Sequence, residues 1–207
     1  MEKLSIVVSV ISTILSVILV HESGHYIMGR ILGYRMPVFS IGMGPRAKHL
    51  FTYAGTQFIV SWLPIGGYVL FDDIDKVSYD AATLRRTLWR DVAVYAAGVL
   101  ANLVSALVVS VIYYNWMREG ILNLSWLEFW DESVDLFIFA SIFIACVNMI
   151  PLPPLDGGRI AFALIEIVRN RPIHVGVKES IFVLGTVLVL IYTVFDWSFF
   201  IYMIIFD

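Results

Sequence analysis

The stretch LSIVVSVISTILSVILVHESGH, Leu4 to His25, decides how the chain is read. An uncharged run from Leu4 to Val20 meets His21-Glu22-Ser23-Gly24-His25. The run alone is short for a bilayer, whose core takes about 20 helical residues. A helix that continues through the motif makes up the length. Positions four apart share a helix face, so His21 and His25 can both reach one metal ion. Glu22 projects beside them, where it can take a proton from a water polarised there. Ionisable groups at the end of a membrane helix are costly and usually functional. The competing reading is a chance match, with both histidines merely hydrogen-bonded.

Composition agrees with a membrane setting. Of 207 residues, 59% are hydrophobic and 15% charged, against about 25% charged in soluble domains. Mean hydropathy is +0.84. Three further stretches almost lack charge: Val92 to Met117, Leu136 to Leu155, and Ser180 to Phe195. The expectation is an all-α polytopic membrane protein with about four transmembrane helices, near 4–32, 90–116, 135–153 and 178–197. The chain 1–207 reads as a single integral membrane domain. The tail Trp197 to Phe206 either extends the last span or lies at the interface. The first stretch is read as a retained helix, because a charged motif follows it where a signal peptide would carry a small-residue cleavage site. Ser5, Ser9, Ser12 and Ser16 make a small-residue stripe on it, where another helix can approach.

Charge sets the expected orientation. Of 14 Lys and Arg, 12 fall in Arg30–Arg90 or Arg159–Lys178, and only Lys3 and Arg118 lie elsewhere. Cytoplasmic loops carry such an excess. The N-terminus and the loop from Arg118 to Asp135 are expected outside, in a multi-pass protein of the inner (cytoplasmic) membrane. The single cysteine, Cys146, excludes an intrachain disulfide and a multi-Cys zinc site, and reads as a small buried hydrophobe.

Between the first two spans the pattern turns β-like. Leu50–Tyr53 and Gln57–Trp62 flank Ala54-Gly55-Thr56, which reads as a hairpin. The surrounding region, 36–72, is apolar enough to re-enter the membrane, where non-helical backbone must be satisfied by protein or a wet cavity. Ser78 to Trp89 reads as a short surface helix, and Trp126, Phe129 and Trp130 as an interfacial segment.

Two histidines leave a catalytic zinc site incomplete, since three protein ligands are expected. His49 and His174 fall in loops and look solvated. Asp156, ending Asn148-Met-Ile-Pro-Leu-Pro-Pro-Leu-Asp156-Gly157-Gly158, is the better candidate. The prolines break the helix, and the glycines permit close packing around the carboxylate. Asp156 also emerges on the same side as His25. A helix cap is its plainer reading, and Asp72, Asp73 and Asp75 are weaker alternatives. Asn148, inside the third span, needs partners. It either stabilises a scissile carbonyl oxygen or bonds a neighbouring helix, and Asn102 poses the same choice.

His21–His25 together with Leu155-Asp156-Gly157 resembles the paired signature of site-2 proteases. Phe39-Ser-Ile-Gly-Met-Gly44 and Leu63-Pro-Ile-Gly-Gly-Tyr-Val69 resemble the bacterial branch typified by the regulator-of-sigma-E protease. The resemblance implies Zn2+ held by His21, His25 and Asp156, with Glu22 as general base. It implies that Asn148 helps hold substrate; Asn102 stays a candidate substrate contact on its residue type alone. It also implies a membrane-reentrant sheet whose edge, along Gln57, Phe58, Ile59 and Val60, receives an unwound substrate strand. Three features depart from that branch, the first being Phe143 where a second Asn often stands five positions before Asn148. The loop from Arg118 to Asp135 has no room for a PDZ domain, and Val99 stands where its second-span motif has proline.

The expected activity is zinc-dependent hydrolysis of peptide bonds within or near transmembrane segments of membrane proteins. Anti-sigma factors, membrane-tethered regulators and remnant signal peptides are candidate substrates. The expected partners are that segment and the lipid bilayer, with no nucleic acid. A metal-binding membrane chaperone or transporter is the alternative, but a transporter would spread polar residues over several spans. A prenyl-protein endopeptidase fits less well, because the Asp-Gly pairing is absent from that class.

Overall fold

The computed structural model describes residues 2–72, 81–118 and 128–206. Its elements are α1 (Glu2–Ile31), β1 (Val38–Tyr53), β2 (Thr56–Leu70), α2 (Ala81–Arg118), α3 (Glu128–Asn148), α4 (Asp156–Arg169) and α5 (Val175–Phe206). Among these residues, Ile6–Ile31 and Thr87–Asn115 are long and apolar enough to cross a bilayer, and Ser133–Asn148 is apolar but shorter. The chain is mostly helical, but the all-α expectation needs correcting: β1 and β2 form a real sheet. α5 carries the 197–206 tail on as helix.

α1, α2 and α3 pack together. Between apolar helices in lipid the gain comes from close van der Waals fit rather than from water release. α1 and α2 approach closely at Gly24, where an added Cβ would lie 2.4 Å from the Ala97 carbonyl oxygen and 2.8 Å from Ala101 Cβ. The serine stripe meets α3 in one bond, Ser9 Oγ to Ser133 Oγ at 2.6 Å. Ser12 and Ser16 instead donate back to carbonyls of their own helix.

Below this contact the helix ends are tied together. Tyr34 donates its hydroxyl to Asp91 at 2.5 Å, and Arg90 lies over the Tyr34 ring while donating to the Leu32 carbonyl. Burial and then the Asp91 hydrogen bond push the Tyr34 phenol above its ordinary range. α4 lies against α2 through Leu88, Ala163 and Ile167. The buried Glu166 accepts from the Ile173 amide at 2.6 Å and pairs with Lys178 at 2.7 Å, pinning the turn into α5. The expected surface helix near Trp89 is instead the opening of α2. Its first residues, 78–80, and Trp126 lie outside the described residues, and Phe129 and Trp130 belong to α3.

The hairpin is longer than the sequence suggested. Tyr53 pairs with Thr56, so Ala54 and Gly55, both at positive φ, make a two-residue turn. The strands bend sharply, and each contributes two segments to one small sheet. Segment 46–53 pairs with 56–61, segment 38–41 aligns with 57–60, and 38–41 also pairs with 67–70. Gly42 and Gly44, at φ 88° and 89°, sit at the bend of β1, where a Cβ on Gly42 would meet the Leu63 carbonyl at 2.5 Å. Ser40, wholly buried, bonds Ser61 Oγ at 2.8 Å across the bend. Phe39, Phe58 and Phe51 stack in turn, with Tyr26 of α1 edge-on to the first two. That stack seats the sheet on α1.

Two expectations are corrected by this arrangement. Gln57–Val60 is not an edge: it has a strand partner on each side, so no free row of backbone groups remains there. Among the described residues, the edge left unpaired on the α1 side is 67–70. Cys146 is exposed rather than buried, because Ser141 and Ala145 take the packed face of α3.

Candidate metal centre

The helical spacing of His21 and His25 does what it promised. Both imidazoles leave one face of α1 toward α2, their rings edge-on at 4.8 Å. Each is only 7% exposed. Asp156 reaches them from the start of α4. After Asn148 the chain turns through Met149–Leu155, and the glycines let that loop fold back on the helix. An added Cβ on Gly157 would meet the Ile150 carbonyl at 2.4 Å, and one on Gly158 would meet Pro153 N at 2.5 Å. α5 closes on the same loop, since a Cβ on Gly185 would lie 2.0 Å from the Pro153 carbonyl.

The three donors converge. His21 Nε2 lies 3.0 Å from Asp156 Oδ2, His25 Nε2 lies 3.2 Å from the same oxygen, and the two nitrogens are 3.2 Å apart. Tetrahedral zinc bonds of about 2.0–2.1 Å put neighbouring donors about 3.3–3.4 Å apart. The set therefore fits a zinc ion after a slight spreading. Its chemistry fits as well, with two imidazoles and one carboxylate. Burial alone would raise the Asp156 carboxyl. Hydrogen bonding with His21 and His25 outweighs it and holds the group well below the usual carboxylate range.

A cavity of about 520 Å³ opens on these atoms. Glu22, Tyr68, Asn148 and Arg159 line it beside the three ligands. Asn148 also donates to the Ile144 carbonyl at 3.1 Å, which anchors its amide at the cavity wall. The sheet edge enters through Gly67, where a Cβ would stand 2.9 Å from Glu22 Cγ and 2.9 Å from the Ser40 carbonyl. Asn102 lies elsewhere: it is fully buried behind His21, with Nδ2 3.3 Å from His21 Nδ1. His49 bonds Thr52 on the exposed sheet, His174 accepts from the Gly176 amide, and neither joins the donor cluster. Asp72 stays outside it too, while Asp73 and Asp75 lie outside the described residues.

Several site residues escaped the sequence reading. The Val94 carbonyl accepts from His25 Nδ1 at 2.8 Å. Gly98 faces both imidazoles, and Gly67 to Val69 border the cavity. Arg159 sits between the rings of Tyr95, at 5.5 Å, and Phe182, at 5.1 Å. The four-residue spacing of Val94, Gly98 and Asn102 was the available signal, a second helix face matching that of His21 and His25.

A helix-borne His-Glu-x-x-His pair with a carboxylate from another helix is a donor set of the kind zinc metallopeptidases use. The comparisons make this more specific. Residues 9–125 and 122–192 match peptidase family M50, and the chain belongs to that family. It is 36% identical over 112 residues, 47% of its own length, to an Agrobacterium fabrum protein provisionally named a zinc metalloprotease. It is 34% identical over 106 residues, 48% of its length, to the membrane metalloprotease ARASP of Arabidopsis thaliana, named as chloroplastic. The matched segments span 30% and 23% of those two relatives, so the chain covers well under half of either.

Proposed function

We propose that the chain is a zinc-dependent endopeptidase of the membrane, cutting peptide bonds within or beside transmembrane segments of other membrane proteins. The carrying observation is that Glu22, the His21–His25–Asp156 cluster and a free strand edge border one cavity among apolar helices. His21, His25 and Asp156 would hold the ion. Bound there, zinc would supply Lewis-acid polarisation of the scissile carbonyl and lower the pKa of water.

The chain's own residues carry the remaining tasks. A transmembrane helix hides its carbonyls in internal hydrogen bonds and must unwind before it is cut. The edge 67–70 offers backbone groups to such an extended segment, the role first assigned to Gln57–Val60. Asn148, on the cavity wall, can hold a substrate carbonyl. Glu22 takes a proton from the attacking water as the new carbon–oxygen bond forms. When the carbon–nitrogen bond breaks, Glu22 returns that proton to the leaving amine.

The membrane arrangement belongs to the same proposal. α1, α2, α3 and α5 would span, with the sheet re-entering between the first two. The Lys and Arg asymmetry supports an N-terminus outside and a site toward the cytoplasmic face of the inner membrane. Single-pass proteins such as anti-sigma factors, tethered regulators or remnant signal peptides are suitable substrates. The test is Glu22→Gln in purified protein with a transmembrane reporter substrate. Cleavage should be lost while zinc stays bound. Wild-type cleavage by that variant would refute the role of Glu22. Zinc binding by the native chain, with no cleavage of any membrane substrate, would favour a non-proteolytic metal-binding protein.

A further inference from the structure

The two imidazoles are held alike at their inner ends but differ behind. For His25 the account is complete. Nδ1 faces the Val94 carbonyl at 2.8 Å, a pure acceptor, so Nδ1 carries the hydrogen and Nε2 turns its lone pair to the cluster.

For His21, Nε2 faces Asp156 and His25, and Nδ1 faces Asn102 at 3.3 Å. If Nε2 gives its lone pair to a metal, Nδ1 must carry the hydrogen. The Asn102 amide then presents a donor, Nδ2, to another donor. Its oxygen, meanwhile, is buried without a hydrogen-bond partner. A half-turn of the amide, which exchanges two atoms of nearly equal size, removes the donor–donor clash and turns the unpartnered oxygen toward His21. Oδ1 then accepts from His21 Nδ1–H.

We propose that Asn102 is the positioning residue of His21: its side-chain oxygen accepts the Nδ1 hydrogen and commits Nε2 to zinc. The placement supports this. Val94, Gly98 and Asn102 stand four apart along one face of α2. Val94 backs His25 and Asn102 backs His21. Gly98 leaves room between them, since its added Cβ would come 2.4 Å from His25 Nε2 and 2.9 Å from His21 Cε1. Asn102 is 0% exposed and does not line the cavity, so it acts through His21 and not on substrate. Outer partners of this kind typically change metal affinity about 10–100-fold.

The inference rests on the zinc site proposed above, so the experiment reads the metal directly. Zinc affinity of the full chain in detergent is measured by chelator competition for the wild type, Asn102→Ala, Asn102→Leu and Asn102→Asp, with metal-free melting temperatures alongside. Ala and Leu should weaken zinc about 10–100-fold. Asp, which keeps an acceptor at the same reach, should retain wild-type affinity or better. The ranking in zinc affinity should not follow the ranking in metal-free stability. Wild-type affinity in Asn102→Leu would overturn the inference, as would an Asp variant as weak as Ala. If the Ala and Leu variants do not fold, the Asp variant decides alone. A wild-type chain that holds no zinc would overturn the zinc site itself, and this role with it.

Discussion

Replacing Gly98 by alanine should disable the metal centre from behind. The new methyl would lie 2.4 Å from His25 Nε2, 2.6 Å from His25 Cε1 and 2.9 Å from His21 Cε1. Ordinary contact begins near 3.4 Å, so His25 Nε2 must retreat by 3.4 − 2.4 = 1.0 Å. Neither imidazole has slack on the other side, because His25 Nε2 is already 3.2 Å from both His21 Nε2 and Asp156 Oδ2. Ligand distances tolerate about 0.2 Å, so the shift exceeds the tolerance several-fold. The helices can instead part, but Gly24 packed on Ala97 opposes that. Overpacking of this kind costs about 1–3 kcal/mol of stability. A misplacement of about 1 Å at a reacting centre costs on the order of 100-fold in rate. The assay is zinc content and affinity of the purified variant, with turnover of a transmembrane reporter substrate. Expected are zinc binding weakened at least tenfold, in line with the loss of a ligand's support, and activity near background. A Gly98→Ala protein with wild-type zinc affinity would show that the imidazoles do not back onto α2 as described.

Acidification should release zinc, because protons compete for the imidazoles. Asp156, held below the usual carboxylate range, stays ionised and adds no proton of its own. Log Kd should therefore rise by about two for each unit the pH falls, a slope of about −2, where both imidazoles are protonated in the metal-free form, measured by chelator competition across mildly acidic buffers. A flat profile would argue against imidazole ligation. Gly67→Val should act differently: its side chain enters 2.9 Å from Glu22 Cγ and the Ser40 carbonyl. Peptide cleavage should fall at least tenfold, by displacement of the base and the strand edge, with zinc affinity unchanged. Parallel loss of zinc would place Gly67 in support of the metal and not of Glu22.

What was legible in the sequence was local. The His21–His25 pair depends only on helical period, and Asp156 announced itself through prolines and glycines that bend its own segment. The strands were legible through β-prone residues around Ala54-Gly55. What was missed depends on neighbours distant in the chain. The edge along Gln57–Val60 was implied by the resemblance alone, yet 38–41 returns to lie beside that segment and the edge passes to 67–70. Cys146 sits about 100° around the helix from Ala145, and only the choice of packed face on α3 decides which of the two is covered.

Asn102 is the sharper case. Its residue type fits a substrate contact as well as a helix contact, and nothing nearby in sequence chooses. The choice is made by where α1 crosses α2. Gly24 packing on Ala97 sets the antiparallel register, which puts Val94 behind His25 and Asn102 behind His21. A shift of one helical turn, about 5.4 Å, would bring Gly98 or Ala106 opposite His21 and leave its Nδ1 without a side-chain acceptor. The small residues of the crossing therefore do more than let two helices approach. They decide which imidazole meets which acceptor, and so whether both Nε2 atoms are free to face the same ion.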